Sequence, residues 1–303
     1  MTRPRRLLVA AVVWLLAMLL AMGPAAAITD GEPDAGRHPY VGLMVAHDAD
    51  GVPVWRCSGS LLSPTVFLTA GHCTEPPAAH VEVWFAEGPI LTDPDYLAAV
   101  EANAPDPVSC NDSPAFDGYP CEGDAGGTPY PNPDFCTGCG PGLPGFAYRD
   151  VGVVVFDEPV PTSVVGEYAQ LPSPGLVDTL SRGTPVDLVG YGVSVQAQIP
   201  GNQLPQPPPF YRWTGPRQRM FAPTELVATN FTHSNEFLRL AANASRGSGG
   251  TCFGDSGGPD LLGETDTVLG VNSYVTNVNC SGVTYSQRID IPEVLAWIES
   301  FLS

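Results

Sequence analysis

The stretch CFGDSGGP occupies residues 252–259 and surrounds one serine, Ser256, with three glycines. Glycines permit tight turns and let backbone N–H groups point in directions that other residues avoid. A serine hydroxyl is a weak nucleophile at neutral pH and needs a neighbouring base. Because a serine in a glycine-rich segment is most often an ordinary turn residue, its interpretation depends on what else the chain contains.

Two further motifs supply the missing groups. LTAGHC at 68–73 contains His72, and Asp150 directly precedes the apolar run VGVVVF at 151–156. A histidine titrates near neutrality and can act as the base, while a buried carboxylate can hold it in one tautomer. Taken singly, such a histidine is more often structural and such an aspartate more often a turn or cap residue. Asp157, after the same run, competes with Asp150.

In this chain order, AGHC (70–73) and GDSGGP (254–259) resemble the motifs of the chymotrypsin-like (trypsin-fold) serine endopeptidases. The resemblance covers most of residues 28–303; its further matching segments are ITDG (28–31), CSGSLL (57–62), GYG (190–192), VNSY (271–274) and the final segment. It implies an all-β fold of two six-stranded antiparallel β-barrels with a C-terminal helix. The site would lie between the barrels of this one protease domain.

The resemblance also implies a role for each site residue. His72 would be the general base and acid and Ser256 the nucleophile. Asp150 would orient His72, and it is favoured over Asp157 because the family places its aspartate before the apolar strand. The N–H groups of Gly254 and Ser256 would form the oxyanion hole. A free amine on Ile28 would form an activation ion pair with Asp255.

Substrate preference is predicted from the residue six before the nucleophile, which is Gly250. Family members that hold Lys or Arg carry Asp there, so a basic preference is not expected. Val275 would narrow the pocket, and the sequence therefore predicts a small or medium uncharged residue before the scissile bond. Substrate backbone would pair with residues 273–275 as an added strand. The predicted substrate-binding residues are Gly250, Thr251, Phe253, Ser273, Tyr274, Val275 and Val283.

The first 27 residues are typical of a secretory signal peptide. Three arginines precede an apolar run at 7–22, and three alanines occupy 25–27. A membrane anchor is the rival interpretation, but the run ends short of the roughly 20 apolar residues that a span needs. The alanines directly precede Ile28, so our hypothesis is that signal peptidase itself releases the activating terminus. Earlier cleavage, after Ala25 or Ala26, would leave a short propeptide.

Eight cysteines in a secreted, extracellular chain predict up to four disulfides. The resemblance implies the pairs Cys57–Cys73 and Cys252–Cys280. A segment at about 86–147, rich in Pro, Gly and Asp, is predicted to be a loop insertion held by its own disulfides. Its four cysteines have three possible pairings, and they are Cys110, Cys121, Cys136 and Cys139. Zinc is disfavoured because no histidine lies nearby.

Composition limits the partners. There are 32 acidic residues against 13 basic ones, all of them arginine, and the net charge is −19. This argues against binding of nucleic acid or anionic membrane, since both need a basic face. We expect polypeptide substrates, protein protease inhibitors as further partners, a monomer and no cofactor. The insertion's acidic residues could hold a structural calcium, but they fit no loop consensus, and solvated surface is favoured.

Strands and one helix are predicted along the chain. Residues 40–45, 65–69, 151–156, 185–189, 237–240 and 268–275 have strand composition. Residues 292–302 have a helical apolar stripe, with Pro292 suited to the first turn.

Two other function classes compete with the serine endopeptidase. An inactive homologue acting as a binding module usually lacks a residue of the triad, and here all three are present. An esterase of the α/β-hydrolase type would have a G-x-S-x-G elbow and the order Ser-Asp-His, which this chain lacks.

Overall fold

The computed structural model describes residues 28, 31–88, 90, 115–116, 119–120, 122–139, 147–192, 196–197, 212–213, 217–228, 235–277 and 280–302. The predicted signal segment, Cys110 and Cys121 lie outside the described residues. No helix in the described ranges has the length and apolar character to cross a membrane.

Strands dominate the described chain. They are β1 (Glu32–Pro33), β2 (Val41–His47), β3 (Pro53–Ser63), β4 (Val66–Thr69), β5 (His80–Trp84), β6 (Ala115–Phe116), β7 (Tyr119–Pro120), β8 (Ala125–Pro131), β9 (Cys136–Thr137), β10 (Ala147–Tyr148), β11 (Gly152–Phe156), β12 (Pro185–Gly190), β13 (Gln196–Ala197), β14 (Arg212–Trp213), β15 (Met220–Ala228), β16 (Phe237–Ala242), β17 (Pro259–Leu262), β18 (Val268–Val275) and β19 (Gly282–Arg288). The helices of these same described ranges are three 3₁₀ turns (Gly71–Cys73, Leu176–Thr179 and Ala244–Arg246) and the α-helix α1 (Pro292–Glu299).

The first barrel closes antiparallel in the order β11-β4-β3-β2-β5-β8. Closure leaves no free strand edge, so the backbone N–H and C=O groups of each strand pair on both sides over much of its length. All seven residues of β2 are buried, which means that both of its faces are covered. Phe67 and Leu68 of β4 belong to the same core, directly before the turn that carries His72.

The second barrel closes in the order β15-β12-β17-β18-β19-β16, with β16 pairing back to β15. β1 adds to the edge of β15 and brings the N-terminal segment onto this barrel. Its core contains Leu188, Leu238 and Leu269, together with Ile28, which is fully buried. The prediction of two six-stranded antiparallel barrels with a C-terminal helix is therefore confirmed.

The 86–147 segment differs from the prediction, because β8 within it is a full strand of the first barrel. β8 has the sequence AGGTPYP, whose glycines and prolines are depleted in strands. Its residues 125–127 pair with β5, while 127–131 pair with β11. Pro129 and Pro131 therefore lie where the strand pairs on one side only, and there a missing N–H is tolerated. Prediction of this segment as loop alone was wrong.

The C-terminal helix is shorter than predicted. α1 ends at Glu299, and Pro292 lies in its first turn, as expected. Val294, Leu295 and Ile298 are buried, whereas Leu302, beyond the helix, is exposed. The apolar stripe thus identified the buried face but extended past the helix end.

An ionisable residue lies inside the second barrel. Asp260 of β17 pairs opposite Leu188, a core residue, so its fully buried side chain faces the barrel interior. Burial raises the pKa of Asp260 to about 8, and the Ser286 hydroxyl offsets only part of this effect. No ion pair of Asp260 occurs among the described residues. The carboxyl group is therefore mostly neutral at pH 7.

We expect the free energy of unfolding to depend less on pH in Asp260→Asn than in the parent protein. A raised native pKa means that the folded state holds a proton which the unfolded state releases above about pH 4. Stability contributed by this group is therefore present below pH 4 and lost as pH rises towards 8. Between pH 5 and pH 8, the free energy of unfolding should fall by about 1–3 kcal/mol more in the parent than in Asp260→Asn. Urea denaturation at both pH values measures this difference.

The control is the exposed residue Asp157, since Asp157→Asn should keep the pH dependence of the parent. If the free energy of unfolding changed equally with pH in all three proteins, the assignment to Asp260 would be contradicted.

Candidate active site

His72 lies in the 3₁₀ turn Gly71–Cys73, directly after β4. The disulfide Cys57–Cys73 ties this turn to β3, and the indole of Trp55 donates to the carbonyl of Cys73 at 2.7 Å. These contacts fix the backbone on both sides of the imidazole. The His72 side chain is 32% exposed, so it faces an opening of the protein.

Asp150 lies directly before β11, whose pairing with β4 brings it to His72. Its carboxylate accepts from the backbone N–H of His72 at 2.8 Å and lies 2.9 and 3.1 Å from His72 Nδ1. The Ser273 hydroxyl donates to the same carboxylate at 2.5 Å. Asp157, the competing aspartate, is exposed at the other end of β11. The structure thus brings His72 together with Asp150, and Ser273 takes part as well.

His72 and Asp150 each stabilise the charged form of the other. Burial lowers the pKa of His72, but the charge of Asp150 and the hydrogen bond to it outweigh burial and raise it overall. Burial raises the pKa of Asp150, yet the charge of His72 and the hydrogen bonds from His72 and Ser273 lower it overall. The carboxylate is therefore ionised and prefers a protonated imidazole beside it.

Ser256 lies in a turn between the second barrel's Cys252 and β17. Gly254 and Gly257 on either side have φ values of +94° and +78°, which strain any residue with a side chain. A β-carbon on Gly257 would also clash with Thr69 and with the Ser58 carbonyl. The carbonyl of Ser256 accepts from the Ser58 N–H at 2.8 Å. The turn at 254–257 thus packs against the first barrel, where His72 lies.

The backbone around Ser256 leaves two donors available. Within the described chain, the N–H groups of Gly254 and Ser256 donate to no protein acceptor. The neighbouring Gly254 carbonyl accepts from the Ser58 hydroxyl at 2.9 Å, which in turn accepts from the Tyr191 N–H. Both residues predicted to form the oxyanion hole therefore lie in a turn held in place by other contacts.

A cavity of 260 Å³ opens at this point. His72, Ser256 and five of the seven predicted substrate-binding residues line it, namely Thr251, Phe253, Ser273, Tyr274 and Val275. Cys252 and Asn272 line it as well, although the sequence did not single them out for binding. No acidic side chain lies among the described lining residues, so none of them could pair with a basic substrate side chain.

The other two predicted substrate-binding residues lie outside this lining. Gly250 is buried next to it, and Val283 packs against the cluster of Phe237 and Tyr285. That cluster supports one wall of the cavity, because Tyr274 stacks on Tyr285 with ring centroids 4.8 Å apart. Phe237 meets Tyr274 edge-on. Val283 is thus placed to support the wall through its neighbours.

Asp255 is fully buried behind the turn. It accepts from the N–H groups of Gly192 at 2.7 Å and Cys252 at 2.9 Å. A β-carbon on Gly192 would overlap this carboxylate, which explains why the last residue of the GYG segment is a glycine. Burial raises the pKa of Asp255 to about 7, and the described residues give it no ion-pair partner. In the uncut chain the Ile28 nitrogen is an uncharged amide, so the predicted ion pair requires cleavage.

Three disulfides occur among the described cysteines. Cys57–Cys73 and Cys252–Cys280 confirm the pairs that the resemblance implied. Cys136–Cys139 is one of the pairings that remained open for the four cysteines of the 86–147 segment, so the sulfurs of these two residues are oxidised. Cys57, His72 and Cys73 form the one group of metal-ligating residue types found in the described chain, but both cysteines are oxidised.

Sequence reasoning missed three residues that organise the site. Ser58 joins the Gly254 turn to Tyr191, and Asn272 exchanges backbone hydrogen bonds with Gly257 and Gly258. Gln287 of β19 accepts from the Asp150 N–H at 3.1 Å. Ser58 and Asn272 lie in the matching segments CSGSLL and VNSY, but those segments do not show which contacts the two side chains and backbones make. Gln287 lies in none of the quoted segments, so only its packing reveals it.

Comparison with known proteins agrees with this architecture. No family model and no curated protein matches the sequence. Solved structures do match. HL collagenase has a TM-score of 0.58 and 18% sequence identity, over 92% of this chain and 96% of that chain. Granzyme C has a TM-score of 0.58 and 13% identity, over 90% of this chain and 98% of that chain. At such low identity the likeness concerns the fold: this chain has the chymotrypsin fold.

Proposed function

We propose that the protein is a secreted serine endopeptidase that hydrolyses peptide bonds through Ser256, His72 and Asp150. One observation carries the proposal most strongly. His72 and Ser256 line one cavity, while the Asp150 carboxylate lies 2.9 Å from His72 Nδ1. The chymotrypsin fold and the disulfides support it as well.

The chemistry follows from the roles of these groups. Asp150 accepts a hydrogen bond from the Nδ1–H group of His72, which keeps the proton on Nδ1 and leaves Nε2 as the base. Ser256 Oγ attacks the scissile carbonyl carbon as Nε2 takes its proton, and the imidazolium then protonates the leaving amine. Water attacks the resulting acyl-enzyme by the same sequence and releases the acid. The N–H groups of Gly254 and Ser256 would bind the oxyanion in both halves of the reaction.

Cleavage after small or medium uncharged residues is the finer part of the proposal. Gly250 has no side-chain carboxylate that could pair with a basic substrate residue. Val275 lines the cavity beside the Cys252–Cys280 disulfide. A substrate segment would pair with residues 273–275 at the edge of the cavity.

Peptide-library cleavage by protein that begins at Ile28 tests this function, with Ser256→Ala as the matched control. The proposal expects cuts by the parent alone, after residues such as Ala, Val or Thr. Cuts mainly after Arg or Lys would overturn the preference but not the activity. Equal cleavage by both proteins would overturn the assignment of Ser256, and no cleavage by either would favour a binding module.

Acidification should inactivate the enzyme through His72. Only neutral His72 accepts the serine proton, and its pKa is raised by Asp150, so kcat/KM should fall with a midpoint above the ordinary value of about 6.5. Asp150→Asn should move the midpoint downward, because the charge that favours the imidazolium is gone. Initial rates from pH 4 to 9 measure both midpoints. A midpoint that stays in place in Asp150→Asn would contradict the pairing.

A further inference from the structure

Asp150 is tied to the second barrel through its backbone. The side chains of Asp150 and Gln287 are fully buried, and Gln287 Oε1 accepts the Asp150 N–H at 3.1 Å. Asp150 belongs to the first barrel and Gln287 to β19 of the second. Since His72 and Ser256 also come from different barrels, this bond helps set the placement of one half of the site relative to the other.

The orientation of the Gln287 amide is fixed by its partners. Its Nε2 donates to the carbonyls of Glu236 at 3.0 Å and Arg288 at 3.2 Å, and to Glu236 Oε2 at 3.3 Å. The carbonyls can only accept, while the Asp150 N–H can only donate. A flipped amide would lose these bonds, so Gln287 has one orientation.

Glu236 connects this amide to the residue before Asp150. Its carboxylate lies 3.4 Å from Arg149 Nε, and both side chains are about 90% buried. Arg149 has a φ of +52°, a conformation that strains an L-residue and persists only where surrounding contacts impose it. The Val151 N–H closes a tight turn onto the Arg149 carbonyl at 2.7 Å. Contacts on both sides of Asp150 therefore hold its backbone.

We propose that Gln287, oriented by Glu236, is a positioning residue for Asp150. It holds the Asp150 backbone so that the Asp150 carboxylate contacts His72 while His72 stays aligned with Ser256. The inference rests on the proposed function. It assigns Gln287 no contact with substrate, and its effect acts through Asp150 and His72. A displacement of about 1 Å in such an arrangement can lower the rate about 100-fold.

The test compares Gln287→Met with the exposed Gln170→Ala as the matched control, both in protein that begins at Ile28. Methionine has a similar length but neither accepts from Asp150 nor donates to Glu236. We expect kcat to fall about 10- to 100-fold with KM within about threefold, because ground-state binding is untouched. The midpoint of the acid limb of kcat/KM should also fall, since a misplaced Asp150 stabilises the imidazolium less. Gln170→Ala should match the parent.

Further measurements separate positioning from folding. Active-site titration with a fluorophosphonate gives kcat per competent molecule, so a smaller folded fraction does not count as a slower reaction. Gln287→Glu replaces the Nε2 donor by an oxygen that faces the acceptors of Glu236 and Arg288, so it should lower kcat at least as much as Gln287→Met. A parental kcat and acid midpoint per titrated site in Gln287→Met would overturn the inference. A parent that neither cleaves peptides nor reacts with the probe would instead overturn the proposed function.

Discussion

Ser256→Ala is expected to lower kcat/KM by about 10⁴- to 10⁶-fold while the protein keeps its fold. Ser256 lines the same cavity as His72, and its removal leaves no nucleophile for the acyl step. His72→Ala should have an effect of similar size, since an unassisted hydroxyl is a poor nucleophile. The double variant should be barely worse than either single variant, because the residues act as one unit. Steady-state kinetics on a peptide substrate measure all three.

The aspartates provide an internal control for this prediction. Asp150→Asn should reduce kcat about 10⁴-fold, because an amide at this position favours the wrong tautomer of His72. Exposed Asp157→Asn, at the other end of β11, should leave kcat unchanged. If Asp157→Asn were the damaging change, the placement of the triad carboxylate would be wrong.

A single extra residue before Ile28 is expected to reduce activity by about 10²- to 10⁴-fold. Asp255 is buried with backbone donors as its hydrogen-bond partners, and its pKa of about 7 reflects the cost of its charge there. A free Ile28 ammonium would pair with that charge, and loss of a buried ionic partner costs about 3–5 kcal/mol. An extension moves the ammonium away and leaves an amide in its place.

Three proteins test the role of the amine. Protein that begins at Ile28 should be active, the extended form nearly inactive, and Ile28→Val with a free terminus close to the parent. Chemical acetylation of the terminus should inactivate the parent in the same way as the extension. Full activity in the extended protein would refute the ion pair. N-terminal sequencing of secreted active protein tests the separate hypothesis that signal peptidase creates this terminus, since a start other than Ile28 contradicts it.

The short motifs allowed much of the molecule to be predicted from its sequence. His72, Asp150 and Ser256 could be singled out because each requires characteristic neighbours, such as the glycines that permit the turn at 254–257. Apolar runs located β4, β11 and β18 because their side chains fill barrel interiors. Two disulfides followed from the same resemblance. These features are local, so a single sequence is enough to read them.

The features that the sequence did not reveal depend on contacts between distant segments. β8 is rich in glycine and proline, and it is a strand because β5 and β11 flank it. Gln287 looks like any polar strand residue until the barrels close and place it against Asp150. The burial of Asp260 depends on which face of β17 points inward. Such pairings join segments that are far apart in the chain, up to 137 residues for Asp150 and Gln287, and leave no local pattern.

The most direct test of the central claim is the covalent reaction of a fluorophosphonate with protein that begins at Ile28, followed by peptide mapping. The reagent modifies a serine only where a base activates it and donors stabilise the developing charge. We predict one adduct per molecule, located on Ser256, with none in Ser256→Ala and a much slower reaction in His72→Ala. An adduct on another residue, or equal labelling of the parent and Ser256→Ala, would contradict the assignment of this site.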